Sequence, residues 1–223
     1  MIAGNVAEVP RVQKFERPMK ELGLFWWAFA VRGGGAVLFS GILFYSGSLF
    51  GTIFFDPIML VFLALILGFY ILSNGILLGV ASGYAAEHRV GIWRLLMAEC
   101  IFNIALGAYV GLVLLLSSES LAWLAGLHAL GTGCFLAALA WKLRANRTYA
   151  GILASASLIS ICCGTAFLLH RAASTRSATH WLGVFELFYG AIIFIFAEGL
   201  HRHHVPVLRG ESADFLLPPR LQK

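Results

Sequence analysis

The chain has 223 residues, 60% of them hydrophobic and only 12% charged, with a formal net charge of +5. A mean hydropathy of +0.84 excludes a soluble domain of ordinary composition and places the protein in a bilayer. The positive balance follows membrane topology and calls for no nucleic-acid partner.

Residues 1–24 carry Pro10, Pro18 and mixed charge and read as a cytoplasmic N-terminal segment; the apolar stretch they precede is too long for the core of a cleavable signal peptide. Six apolar stretches follow, at roughly 25–47, 57–82, 92–116, 120–143, 149–170 and 178–200. Each supplies the span of about 20 residues, at about 1.5 Å rise, that crosses a hydrocarbon core. The expected fold is therefore all-α and membrane-integral, with six transmembrane helices over 25–200. A cytoplasmic tail, 201–223, is broken by Pro206, Pro218 and Pro219. Thirteen Lys and Arg residues, among them Lys14, Arg89, Lys142, Arg144 and Arg202, fall on one side of this arrangement. Only Arg171 and Arg176 fall on the other, so both termini are expected in the cytoplasm of a bacterial inner membrane.

Within the spans one pattern recurs about every 58 residues. A glycine is followed seven residues later by another, as Gly68 and Gly75, Gly126 and Gly133, Gly183 and Gly190. The odd helices repeat too: Trp26, Arg32 and Gly41 correspond to Trp93, Glu99 and Gly107, and to Tyr149, Ser155 and Gly164. Three repeated helical hairpins are implied, at about 25–82, 92–143 and 149–200. Glycines seven apart share a helix face, so each even helix offers a stripe on which another backbone can approach.

Arg32 is the most informative single residue, because a guanidinium inside a span is costly and seldom faces lipid. Glu99 stands at the same offset from Trp93 as Arg32 does from Trp26. Both helices enter from one side, so the two charges are expected to pair at one depth. Asn74 and Thr132, each just before the second glycine of its pair, lie near the same level, with Ser155 and Tyr189 joining them. Asn103 is one turn from Glu99, and His128 one turn from Thr132. This layer reads either as hydrogen-bonding glue between helices or as a proton, ion or small-ligand pathway. His128 is expected to be a hydrogen-bonding residue, with a proton-relay or ligand role as the alternative. Glu186, His170 and His180 read as solvated groups at the outer surface, with pH sensing as the alternative, and the His201, His203, His204 run as basic residues at a helix end, with transition-metal binding as the alternative.

No catalytic triad, Walker sequence, zinc-protease motif or dinucleotide fingerprint is present, so neither an enzyme nor a cofactor or metal centre is expected.

The first hairpin, with its interfacial Trp, Arg32-Gly33, Gly41, Gly68-Phe69-Tyr70 and Gly75, resembles that of the HdeD-like acid-resistance membrane proteins. The stretch from Leu124 to Gly133, followed by Ala137, Ala138 and Lys142-Leu143-Arg144, resembles the end of their fourth helix. Gly164, Gly183 and Gly190 extend the likeness through about residue 202. The resemblance implies a six-helix inner-membrane protein with a role in acid or stress resistance and no defined enzymatic activity. Two other functions fit the residues: an accessory subunit of a larger respiratory or photosynthetic complex, and a small proton or solute transporter using the Arg32, Glu99 and Asn74 layer. The expected partners are the lipid bilayer and either further copies of the chain or other membrane subunits.

Overall fold

A computed structural model describes residues 23–49, 56–87, 91–112, 118–169 and 175–216. The N-terminal segment before residue 23, His170, Arg171 and the side chains of His203 and His204 lie outside the described residues. Six α-helices make up the fold: α1 (Trp26–Leu49), α2 (Asp56–Glu87), α3 (Trp93–Leu112), α4 (Ser118–Lys142), α5 (Arg147–Leu169) and α6 (Thr175–Leu216). All six contain an apolar segment long enough to cross a membrane. The helical choice follows from the solvent: hydrocarbon offers no partner for backbone N–H and C=O groups, and a helix satisfies them within one segment. Among the described residues no strand occurs. Helix α6 continues through Pro206 to Leu216, where the sequence leads one to expect a tail.

Short polar contacts set the turns. At the α4–α5 turn, Asn146 caps α5, its carbonyl accepting from Ala150 N at 3.0 Å and its side-chain oxygen from Tyr149 N at 3.4 Å. At the same end of the bundle, Lys142 Nζ donates to Gly91 O at 2.8 Å, and Ser82 Oγ to Trp93 O at 3.0 Å.

The helices are arranged in a ring in chain order, and the closest seams are α2 on α3, α4 on α5, and α6 on α1. The two helices of each expected hairpin, α1–α2, α3–α4 and α5–α6, touch more loosely. The glycine pairs explain the difference. A Cβ on Gly75 would sit 2.9 Å from Ile104 N, one on Gly133 3.1 Å from Ile161 N, and one on Gly190 2.7 Å from Gly33 O. Each even helix thus lays its glycine stripe on the backbone of the odd helix that follows, and α6 closes the ring on α1. Without a hydrophobic drive between helices in lipid, this backbone approach and its van der Waals contact are what hold the seams. Gly107 and Gly164 complete two seams, their hypothetical Cβ atoms lying 2.8 Å from Leu72 N and from Leu130 N. Gly41 does not complete the third: a Cβ there meets nothing within 4 Å. Its neighbour Ser40 faces the seam and donates to Gly183 O at 2.8 Å, which corrects the expected equivalence of Gly41 with Gly107 and Gly164.

The interior is layered. Leu63, Leu67, Leu121 and Leu182 are buried toward one end of the ring, and Phe29, Leu78, Leu96, Leu136, Leu153, Ile193 and Phe196 toward the other. Outward-facing residues are large and apolar, as at Leu38, Phe69 and Leu158, which suits a surface bathed in lipid.

Candidate functional site

Between the two apolar layers lies a band of buried polar side chains. Arg32, Asn74, Glu99, Asn103, His128 and Thr132 are all in it, none more than 6% exposed. Position on the ring explains why they converge. Arg32 precedes Gly33, which touches α6, and Asn74 and Thr132 precede Gly75 and Gly133, which touch α3 and α5. A residue beside a seam glycine is carried to the edge of the seam and points along it into the bundle.

Arg32 Nη2 donates to Glu99 Oε1 at 2.6 Å, with the two side chains 3% and 5% exposed. A longer hydrogen bond of 3.5 Å runs from the same nitrogen to Thr132 Oγ1. The Arg32 guanidinium carbon stands 5.7 Å from the centroid of the Tyr189 ring, within cation–π range. One side chain on α1 thereby reaches α3, α4 and α6.

A second acidic group shares this band. Glu186 is 1% exposed and its Oε2 accepts from Tyr70 Oη at 2.8 Å. The Tyr70 ring stacks on Phe39 at 4.4 Å and meets His128 edge-on at 6.1 Å. The surface position expected for Glu186 is therefore corrected. On α6 the residues Thr179, Leu182, Glu186, Tyr189 and Ile193 are all buried. Their three- and four-residue spacing makes one inward stripe. That stripe is visible in the sequence and places Glu186 inside; the count of residues from the helix end, taken alone, misplaces it. Tyr70 had a signal as well, standing two residues after Gly68 as His128 stands two after Gly126.

Ser155 does not join the band. It is exposed and its hydroxyl donates to Ile152 O of its own helix at 2.8 Å. The buried serines of α5 are Ser157, which donates to Gly133 O at 2.8 Å, and Ser160. Gly75 meets Ile104 N and Gly133 meets Ile161 N, so the seam makes buried Ala156, one residue on from Ser155, the equivalent of Glu99; the shift goes with Tyr149, which packs inward against Gly199, whereas Trp26 and Trp93 are only partly buried. His180 lies apart from the band, against Gly47 and 6.1 Å from the Phe44 ring. Farther along α6, Glu198 pairs with Arg202 at 2.9 Å, and His201 packs against Trp26 at 4.2 Å.

By the length and composition of its helices, this is a multi-pass membrane protein with a buried band that contains one guanidinium and two carboxyl groups. No family model, no curated protein and no solved structure matches the chain. Among the described residues no three His, Cys, Asp or Glu side chains are grouped to hold a metal ion. The band holds a carboxyl–guanidinium pair, a phenol–carboxyl pair and an imidazole, contributed by α1, α2, α3, α4 and α6.

Proposed function

We propose that this chain is a non-enzymatic inner-membrane protein of the HdeD-like type, built from three repeated hairpins with both termini cytoplasmic, which serves in acid or stress resistance by exchanging protons at its buried band. The observation that carries the reading is the unequal count of acidic and basic groups there: Arg32 faces Glu99 at 2.6 Å, while among the described residues the hydrogen-bond donor to Glu186 is the neutral Tyr70, at 2.8 Å. Ionisable groups at membrane depth are costly to keep and typically belong to ion and proton paths. One guanidinium balances one carboxylate, and a proton is the smallest counter-charge for the second. Tyr70 of α2 bonds Glu186 directly, Arg32 of α1 and Tyr189 of α6 interact with it electrostatically, and His128 of α4 meets the Tyr70 ring edge-on; each except Arg32 can pass a proton or hold its hydrogen bond. The apolar layers on either side keep the band from being an open channel.

The test is a proton-flux measurement. The full chain is reconstituted in liposomes containing a pH-sensitive dye, and the external medium is acidified. Internal acidification should outpace that of protein-free liposomes, and Glu186→Gln should return it to the protein-free rate. Wild-type liposomes no faster than empty ones would refute proton exchange across the bundle.

A further inference from the structure

Each of the six helices carries, in or next to the polar band, a buried side chain with a polar atom that lacks a hydrogen-bond partner. These are Arg32 Nε on α1, Asn74 Nδ2 on α2, both Asn103 Oδ1 and Nδ2 on α3, His128 Nδ1 on α4, Ser160 Oγ on α5 and Tyr189 Oη on α6. All six residues are at least nine-tenths buried. Scattered packing defects would not be expected to reach all six helices close to one level; the one further unpaired atom among the described residues, His201 Nδ1, lies on α6 about three turns from Tyr189, beside Trp26. An unpaired buried donor bears its full desolvation penalty, and folded proteins pair nearly all such groups with protein or with internal water.

The chemistry of the set narrows the guest. Arg32 Nε, the amides of Asn74 and Asn103, and the hydroxyls of Ser160 and Tyr189 donate, whereas Asn103 Oδ1 can only accept. A guest must therefore accept several hydrogen bonds and donate at least one. An anion meets the first requirement, but it would join a band in which two carboxyl groups already outnumber one guanidinium. Water meets both and adds no charge. We propose that the bundle encloses a cluster of ordered water molecules bound by Arg32, Asn74, Asn103, His128, Ser160 and Tyr189, which joins the Arg32–Glu99 and Tyr70–Glu186 pairs into one network. Internal water typically makes about three hydrogen bonds, so a small number of molecules satisfies the set. The cluster stands whether or not protons cross the membrane.

Radiolytic labelling of the full chain in detergent tests this, because the hydroxyl radical forms from water already beside a side chain. Tyr189 and His128 should be modified several-fold faster than Phe29 and Phe196, each rate normalised to that of the same residue in the unfolded chain. Those two phenylalanines are equally buried and pack edge-to-face on each other at 5.1 Å, away from the polar set. Asn103→Leu, which puts an apolar side chain into the cluster, should bring Tyr189 down toward the phenylalanine rate. Equal rates for all four residues in the wild-type protein would overturn the cluster. Labelling that falls when gluconate is replaced by chloride would overturn water as the guest in favour of an anion; identical labelling in the two salts supports it.

Discussion

Replacing Glu99 by Gln removes one charge of the buried pair while keeping its shape, so the loss reports how strongly Arg32 depends on that charge. With the nitrogen and oxygen 2.6 Å apart, the charge centres are separated by about 4 Å, which at an effective dielectric of about 20 corresponds to about 4 kcal/mol. Removing one partner of a buried pair costs about 3–5 kcal/mol, because the survivor is left uncompensated. In the Glu99→Gln protein Arg32 keeps the neutral amide oxygen, the 3.5 Å bond to Thr132 and the Tyr189 ring as neighbours but loses the charge that faced it directly. Arg32→Gln should be damaging for the converse reason. The double variant holds two neutral amides at the same place, and it should be more stable than the sum of the single losses implies, by about 2–3 kcal/mol. Unfolding by titration with sodium dodecyl sulfate in mixed micelles, followed by tryptophan fluorescence, measures all four proteins on one scale. Additivity within about 0.5 kcal/mol would show that the two residues act independently, and the pairing argument would fail.

Three further outcomes are expected. Tyr70→Phe keeps the ring on Phe39 but strips the donor from Glu186, and should cost about 1.5–3 kcal/mol in the same titration; Tyr45→Phe, at a 70% exposed site, should cost nothing measurable. Gly190→Ala forces a methyl against Gly33 O at 2.7 Å and should destabilise by about 1–3 kcal/mol. By contrast, Gly41→Ala meets open space and should be neutral or slightly stabilising; equal losses at the two sites would show that the α6–α1 seam is not as described. A fluorescent protein that matures only in the cytoplasm, fused after Lys223, should be bright in intact cells, and a dark fusion that is present by immunoblot would reverse the proposed orientation.

Much of the band could be read before any fold was known. The offsets of Arg32 from Trp26 and of Glu99 from Trp93 put two opposite charges at one depth, and the structure places their side chains in contact. The same counting misjudged Ser155, because Tyr149 is not an interfacial anchor like the two tryptophans but is buried against Gly199. It also misjudged Glu186, where the distance from the helix end carried less information than the buried stripe on which the residue stands. Internal equivalence is a sound guide to depth only when the reference residues occupy equivalent environments.

Composition and the length of six apolar runs determine by themselves that the chain forms membrane-spanning helices, since hydrocarbon leaves the backbone no other satisfactory choice. The glycine pairs likewise specify which face of each even helix can be approached closely. Which helix makes that approach was decided only by tertiary packing. The seams run from each even helix to the next odd one and from α6 back to α1, because a closed ring gives every glycine stripe a backbone to rest on. That closure is also what brings Glu186 of α6 to Tyr70 of α2 and Arg32 of α1 to Thr132 of α4. Contacts between helices so distant in sequence depend on the rotation of each helix in the ring, which the spacing of residues along one helix does not contain.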